Sequence, residues 1–375
     1  MKIAMLSPYS LSRPGGVQGQ VFGLARALRA LDHEVIVLGP DDDTISETGG
    51  RVAAASSMDV YVVGRPIGLR SNGSVAPVSI SPMSAVNAER YVRKNGFDVL
   101  HLHEPLAPMT PYGFVLSTPV PMVGTFHRAG VSRWVHVFRP LALLVGRRLQ
   151  VQVAVSEAAA DTGRRSSGGA FEVLFNGVDM ERFKTVAPSP TDRPTVLFLG
   201  RHETRKGLSV LLDAFAQLDR PATLWVAGDG PASEVQRRRH PESDRIKWLG
   251  MLSDEDVSAR LAGADVLCAP SLRGESFGMV VLEGMAARCA VVASDLEGYR
   301  SAAGGHAVLV PPGDVKALSR ALGVALADVA EQSGQSSPEA LKAAEEHAQG
   351  WSMETLAERY LDVYRRAIEM YAAKK

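Results

Sequence analysis

Ile3-Ala4-Met5-Leu6, a turn containing Pro14-Gly15-Gly16, and then Val35-Ile36-Val37-Leu38 form the stretch that decides the fold class. Between the two apolar runs Val17, Val21, Leu24, Leu28 and Leu31 recur at helical spacing, so the intervening segment reads as a helix with one apolar face. Strand, helix and strand in that order are the unit of a parallel sheet built with right-handed crossovers. Working outward, short apolar runs recur at Val99-Leu100-His101-Leu102, Pro121-Met122-Val123-Gly124-Thr125 and Gln152-Val153-Ala154-Val155, which makes the first half one doubly wound lobe. The proline-rich Pro188-Ser189-Pro190-Thr191-Asp192-Arg193-Pro194 reads as a linker. A second series of apolar runs follows it, beginning at Thr195, Thr223, Ile246, Val266 and Ala290. Two α/β lobes in tandem suit a chain of 375 residues, which exceeds a comfortable single core.

The 41 basic and 41 acidic residues cancel, so no overall field draws the chain to nucleic acid, and any attraction to an anionic surface is local. Cys268 and Cys289 have no partner at metal-ligand or redox-motif spacing and sit in apolar runs, where buried free thiols are expected. The opening apolar stretch is too short for a signal peptide and no later run approaches a membrane span, so a reducing, cytoplasmic location is expected. Peripheral membrane contact stays open.

Ligands of open parallel sheets bind beyond the carboxyl ends of the strands. Gly15-Gly16 precedes a helix whose first amides favour phosphate, although a plain glycine turn reads equally well. His101 and His103 alternate onto one face of a strand with no third metal ligand in view. His127 stands alone at a strand end, as a hydrogen-bonding group for a sugar or as a structural histidine. Arg201 and Lys206 follow another strand and are suited to hold a diphosphate without a divalent ion, the alternative being a solvated basic run. Glu275 and Glu283 are eight positions apart, about 12 Å if measured along a helix, too far to share one proton.

These residues together resemble glycosyltransferase family 4 (GT4), and within it the actinobacterial members that mannosylate phosphatidylinositol. The resemblance covers essentially the whole chain and is carried by Ser7-Pro8-Tyr9-Ser10, Pro14 to Gln18, Asn72-Gly73-Ser74-Val75-Ala76, Phe97 to Pro105, Thr125-Phe126-His127, Asn176-Gly177-Val178-Asp179, the segment from Arg201 to Lys206, and Gly274-Glu275-Ser276-Phe277-Gly278 with Glu283. It implies the GT-B fold, two Rossmann-like doubly wound parallel-sheet domains facing a central cleft. Residues 1–176 would be the acceptor domain, with 351–375 packing back on it, and 177–350 the nucleotide-sugar donor domain. Gly16, Arg201 and Lys206 would hold the diphosphate, Glu275 with Phe277 and Gly278 the hexose, Glu283 the ribose, and Gly250 to Leu252 with Asp254 the base. Tyr9, Gln18, Asn72, Ser74 and His127 would face the acceptor, with His127, Arg201, Lys206 and Glu275 as the catalytic set.

The implied reaction is transfer of mannose from GDP-mannose to the inositol of phosphatidylinositol, with retention and with no required metal or cofactor. Another nucleotide sugar, a soluble polyol acceptor, or a two-lobed binding protein without turnover are the alternatives. The chain departs from its relatives in having Pro77 where they carry a basic residue and only Arg90, Arg93 and Lys94 on the helix beyond. Seven arginines from His127 to Arg165 inclusive, interleaved with Trp134, Val137, Phe138 and Leu141, offer a substitute contact for an anionic bilayer or form a core helix with solvated ends.

Overall fold

The two opening apolar runs are strands β1 (Lys2–Leu6) and β2 (Glu34–Pro40), paired in parallel with Ile3 opposite Val35 and Leu6 opposite Leu38. Helix Gly16–Ala30 joins them and buries Val21, Leu24 and Leu28. Its apolar face ends earlier than the sequence suggests. The helix stops at Ala30, the chain turns through Asp32 at φ 60°, and Leu31 is left 36% exposed. The computed structural model describes residues 1–11, 16–41, 50–53, 59–64, 67–71, 74–78, 82–107, 112–128, 139–275 and 277–374.

Two units divide the chain: Met1–Gly177 with Met353–Lys375, and Val178–Ser352. In the first, β3 (Gly50–Ala53), β4 (Asp59–Gly64), β7 (Val99–His103), β8 (Met122–Phe126), β9 (Val151–Ala154) and β10 (Phe171–Val173) join β1 and β2 in the order β10-β9-β8-β7-β1-β2-β4-β3. Every neighbouring pair is parallel except β3 with β4. A separate antiparallel hairpin pairs β5 (Ile67–Ser71) with β6 (Ser74–Val78). In the second unit β11 (Thr195–Leu199), β12 (Thr223–Ala227), β13 (Ile246–Gly250), β14 (Val266–Ala269), β15 (Ala290–Ser294) and β16 (Val308–Val310) form an all-parallel sheet, ordered β13-β12-β11-β14-β15-β16. Strand order reverses between β1 and β7 in one sheet and between β11 and β14 in the other.

The stretch 188–194, read above as a linker, lies inside the second unit, and the chain passes between units at Gly177 and Ser352 instead. Ser189 donates its amide to Ala259 O at 2.9 Å and packs on Gly263, so the prolines strap an extended segment onto helix Asp254–Gly263. The last helix, Met353–Ala372, belongs to the first unit and buries Leu356, Tyr360 and Tyr364 against the cluster of Ile3, Leu24, Leu28 and Val37. Each fully buried side chain of that kind contributes about 2 kcal/mol, whereas isolated helices are marginal. Both cysteines are buried and free, and Cys289 Sγ donates to Leu261 O at 3.1 Å. Among the described residues no helix is long and apolar enough to cross a membrane.

Gln20 clips the end of the first unit's leading segment. Its buried amide donates from Nε2 to Gly177 O and accepts from Gly177 N, both at 2.8 Å. Gln20→Ala removes both partners from a buried peptide group, and we expect the unit carrying it to lose about 2 kcal/mol in urea unfolding followed by circular dichroism.

Candidate active site

Where the order of the second sheet reverses, the loops after β11 and β14 come together. Leu272 donates its amide to Arg205 O at 2.7 Å, and Gly207 holds a left-handed φ of 70° so close to the Pro270 carbonyl that no side chain fits. This seam sets a chain of alternating charges. Arg201 pairs with Glu203 at 2.9 Å, Glu203 with Arg205 at 2.8 Å, Arg205 with Glu275 at 3.4 Å, and Lys206 with Glu275 at 2.7 Å. Ser271 also donates to Glu275 at 2.9 Å and is held in turn by the hydroxyl of buried Tyr299 at 2.8 Å. Arg201, Lys206 and Glu275 therefore share one network. Glu203, Arg205 and Ser271 complete it; the sequence reading missed their roles, although the charge alternation in Arg201-His202-Glu203-Thr204-Arg205-Lys206 was visible.

Glu275 and Glu283 are not related by a helical rise, as their spacing had suggested. Gly278 adopts φ 89° with Tyr299 against it, and the helix starts only at Met279, so Glu275 belongs to the loop and Glu283 to helix Met279–Ala286. Glu283 accepts from Arg182 Nη2 at 2.8 Å, a pairing across 101 positions that no local signal announces. Phe277 is buried with its ring 5.1 Å from that of Trp351. Beyond β12 and β13 a cavity of about 330 Å³ is lined by Asp229, Ser233, Glu234, Arg237, Arg238 and Gly250. Of the expected base-site residues Gly250 lines it; Leu252 is half-buried nearby in sequence, and Asp254 opens helix Asp254–Gly263 in an exposed position. Asp229 was missed, although Gly228-Asp229-Gly230 directly follows a strand; its carboxylate accepts from Ser233 Oγ and Gly230 N, which lowers its pKa.

In the first unit the reversal falls between β1 and β7, and the polar side chains collect there. Gly16 is exposed at the first turn of its helix, with open space where a side chain would stand. Gln18 is buried and donates to Ser10 O at 3.1 Å. Tyr9 is half-buried, and burial followed by the charge of Glu104 pushes its hydroxyl well above the usual range. Asn72 and the side chain of Ser74 lie outside the described residues, as do Trp134, Val137 and Phe138. Among the described residues no group of three or more His, Cys, Asp or Glu is placed to hold a metal ion.

His127 does not stand alone at its strand end. Its Nε2 lies 3.0 Å from His103 Nδ1, and its backbone amide donates to Glu104 Oε1 at 2.6 Å. The reason is register: β7 and β8 are adjacent and parallel with His103 opposite Thr125, so a residue just past β8 meets the end of β7. His101 is sealed below, with Nδ1 2.8 Å from Tyr364 Oη and Nε2 2.7 Å from Thr125 Oγ1.

Burial lowers all three histidines, His101 to about 3, His127 to about 4 and His103 well below its ordinary value, while it raises Glu104 to about 7. The signs oppose each other. The unfolded chain binds histidine protons that the folded chain refuses, so that stability is complete above about pH 6.5 and is lost as pH falls toward about 4. Glu104 binds a proton more tightly when folded, so its contribution is present below its ordinary value of 4.5 and is lost as pH rises toward about 7. Three groups outweigh one. We expect the melting temperature of the first unit to drop on acidification through that window, and Glu104→Gln, which removes the opposing group, to steepen the drop in calorimetry.

The family model described as Glycosyltransferase Family 4 matches residues 14–182, and that described as Glycosyl transferases group 1 matches residues 193–328. The chain is 37% identical over 336 residues to the phosphatidyl-myo-inositol mannosyltransferase of Mycobacterium leprae, and 35% identical over 337 residues to that of Mycobacterium tuberculosis, in both cases over 86% of each chain. Among solved structures it is similar to sucrose-phosphate synthase from Thermosynechococcus elongatus, with a TM-score of 0.75, 21% identity and 99% of both chains covered. It is also similar to Anabaena HepE in complex with UDP and glucose, with a TM-score of 0.74, 21% identity, and 97% of this chain and 99% of that one covered. The two likenesses in structure show the fold, and the sequence matches show the lineage: this chain is a GT-B glycosyltransferase and belongs to glycosyltransferase family 4.

Proposed function

We propose that the chain transfers mannose from GDP-mannose to the inositol of phosphatidylinositol, with retention, at the cytoplasmic face of a membrane. The observation that carries this reading is the seam after β11 and β14, where Arg201, Arg205 and Lys206 converge on Glu203 and Glu275. Three cations and two carboxylates leave one net positive charge beside a strand-order reversal, the place where open sheets take nucleotides. A unit charge pair at about 4 Å is worth about 4 kcal/mol at the effective polarity of such a site, enough for fixed cations to hold a diphosphate and favour its departure without a divalent ion. The mannose donor and the lipid acceptor follow from the 35–37% identity to proteins named for mannosyl transfer to phosphatidyl-myo-inositol.

In this reaction the bond from the anomeric carbon to the β-phosphate oxygen breaks, the acceptor hydroxyl forms its bond on the same face, and its proton passes to the departing phosphate. No side chain need act as base. That suits Glu275, whose Oε1 is already engaged by Lys206, Arg205 and Ser271 and which would receive sugar hydroxyls. Glu283, steadied by Arg182, would take the ribose. On the acceptor side, helix Arg139–Arg148 keeps Leu144 47% exposed between exposed Arg139 and Arg147, an apolar and basic face suited to an anionic bilayer.

Purified protein with GDP-mannose and phosphatidylinositol vesicles should yield a mannolipid, and should do so in the presence of a chelator. Release of GDP without lipid mannosylation, or faster turnover of another donor and a soluble polyol, overturns the assignment. GDP should raise the melting temperature more than UDP or ADP does, since binding to the folded state must stabilise it. Lys206→Ala should lose about 3 kcal/mol of transition-state stabilisation, read as kcat/KM; full activity in that variant would remove the seam from the donor site.

A further inference from the structure

His101, His103 and Glu104 hold more polar chemistry than the transfer reaction uses directly, and their geometry bears on His127 Nδ1, the ring nitrogen of His127 that bonds to none of the described residues. We propose that His103 is a positioning residue that donates from Nδ1 to His127 Nε2 and fixes His127 in the tautomer carrying its proton on Nδ1, so that His127 presents a hydrogen-bond donor to substrate and not a base. The inference rests on the reading in which His127 touches the transferred sugar or its acceptor.

Packing first fixes the His103 ring. It is 3% exposed, with the His101 ring 4.2 Å away centroid to centroid and the His127 ring, met at its edge, 5.3 Å away. His101 has no freedom to yield, because both its nitrogens are engaged, by Tyr364 and by Thr125, and Thr125 Oγ1 lies a further 2.8 Å from Tyr360 Oη. With one face against His101, His103 aims Nδ1 at His127 and leaves Nε2 buried with no partner among the described residues.

That orphaned nitrogen decides the tautomer. Burial keeps both rings neutral near pH 7, so each carries one proton. A proton on His103 Nε2 would leave a buried N–H without an acceptor, which folded proteins rarely tolerate; a bare lone pair there is the lesser cost. The proton therefore sits on Nδ1, His127 Nε2 accepts it, and the His127 proton is forced to Nδ1. Glu104 completes the clamp from the backbone side. It accepts the His127 amide at 2.6 Å from a left-handed conformation, φ 50°, that a glutamate adopts only when its surroundings impose it.

Side chains that mimic one imidazole nitrogen at a time test the clamp. Asparagine places its amide where Nδ1 stands, glutamine where Nε2 stands. In protein labelled with 15N-histidine, long-range proton–nitrogen spectra at neutral pH, with His127 assigned from His127→Gln, should show His127 protonated at Nδ1 and accepting at Nε2. His103→Asn should keep that pattern and a kcat within about threefold of the parent. His103→Gln should release His127 toward the Nε2-protonated form and lower kcat about tenfold or more, with the donor KM changed less than about threefold. Unchanged His101 signals mark an intact core; if glutamine disturbs them, the parent and His103→Asn spectra still decide the tautomer. A His127 protonated at Nε2 in the parent, or Asn and Gln variants that behave alike, overturns the inference. Parental turnover by His127→Gln, with the tautomer as stated, instead overturns the reading of His127 as a substrate contact.

Discussion

Parallel strands joined by crossovers must part company where the winding reverses, and that separation is the constraint on which both polar sites depend. At β11 and β14 the two outgoing loops leave adjacent strand ends in opposite directions, which opens a place that neither crossover helix can cover. The chain closes it only as far as backbone allows. The Leu272 amide on Arg205 O and the left-handed Gly207 against the Pro270 carbonyl bring the loops into register, and side chains fill what is left. The same reversal at β1 and β7 places Tyr9 within the field of Glu104, from a loop almost a hundred residues away in the chain.

The seam of the second unit is preorganised by opposite charges. Lys206 and Glu275 are 20% and 10% exposed, partly desolvated, so removing one partner leaves the other uncompensated at a cost beyond that of a surface pair. In the proposed reaction an ammonium already held in place would leave little reorganisation for the moment of transfer. In the proposed donor site a diphosphate would gain from the net positive charge of the seam, whereas an uncharged sugar would not.

How much of this was legible in the sequence follows from which forces are local. Strands buried on both faces must be continuously apolar, and the helix after β1 must show one apolar stripe, so the α/β architecture and the strand-end positions of Arg201, Lys206, Glu275 and His127 could be read directly. Partnerships across the chain could not. Nothing around Glu283 announces Arg182, and nothing around His127 announces His103, because those contacts are set by sheet order and register. Backbone conformation misled in a second way. A carboxylate spacing of eight looks helical until Gly278 proves to be left-handed and delays the helix to Met279. A run of three prolines looks like a linker until the Ser189 amide is found bonded to Ala259 O, with the Ser189 backbone packed on Gly263 of helix Asp254–Gly263.

The two sites differ in how they treat charge, and glycosyl transfer gives a reason. In the proposed reaction negative charge grows on the departing diphosphate while the sugar ring gains cationic character, so cations help at one end and oppose the other. The second unit supplies arginine and lysine from one seam. The first unit offers groups whose burial keeps them uncharged: His101, His103 and His127 are all lowered far enough to be neutral near pH 7, and the hydroxyls of Tyr9, Tyr360 and Tyr364 are raised. A protonated His127 would set a positive charge against a developing positive centre. The apolar surroundings that make ionisation expensive, together with a neighbouring ring that settles where the proton lies, turn a residue that titrates freely in water into a directional hydrogen-bond donor without net charge.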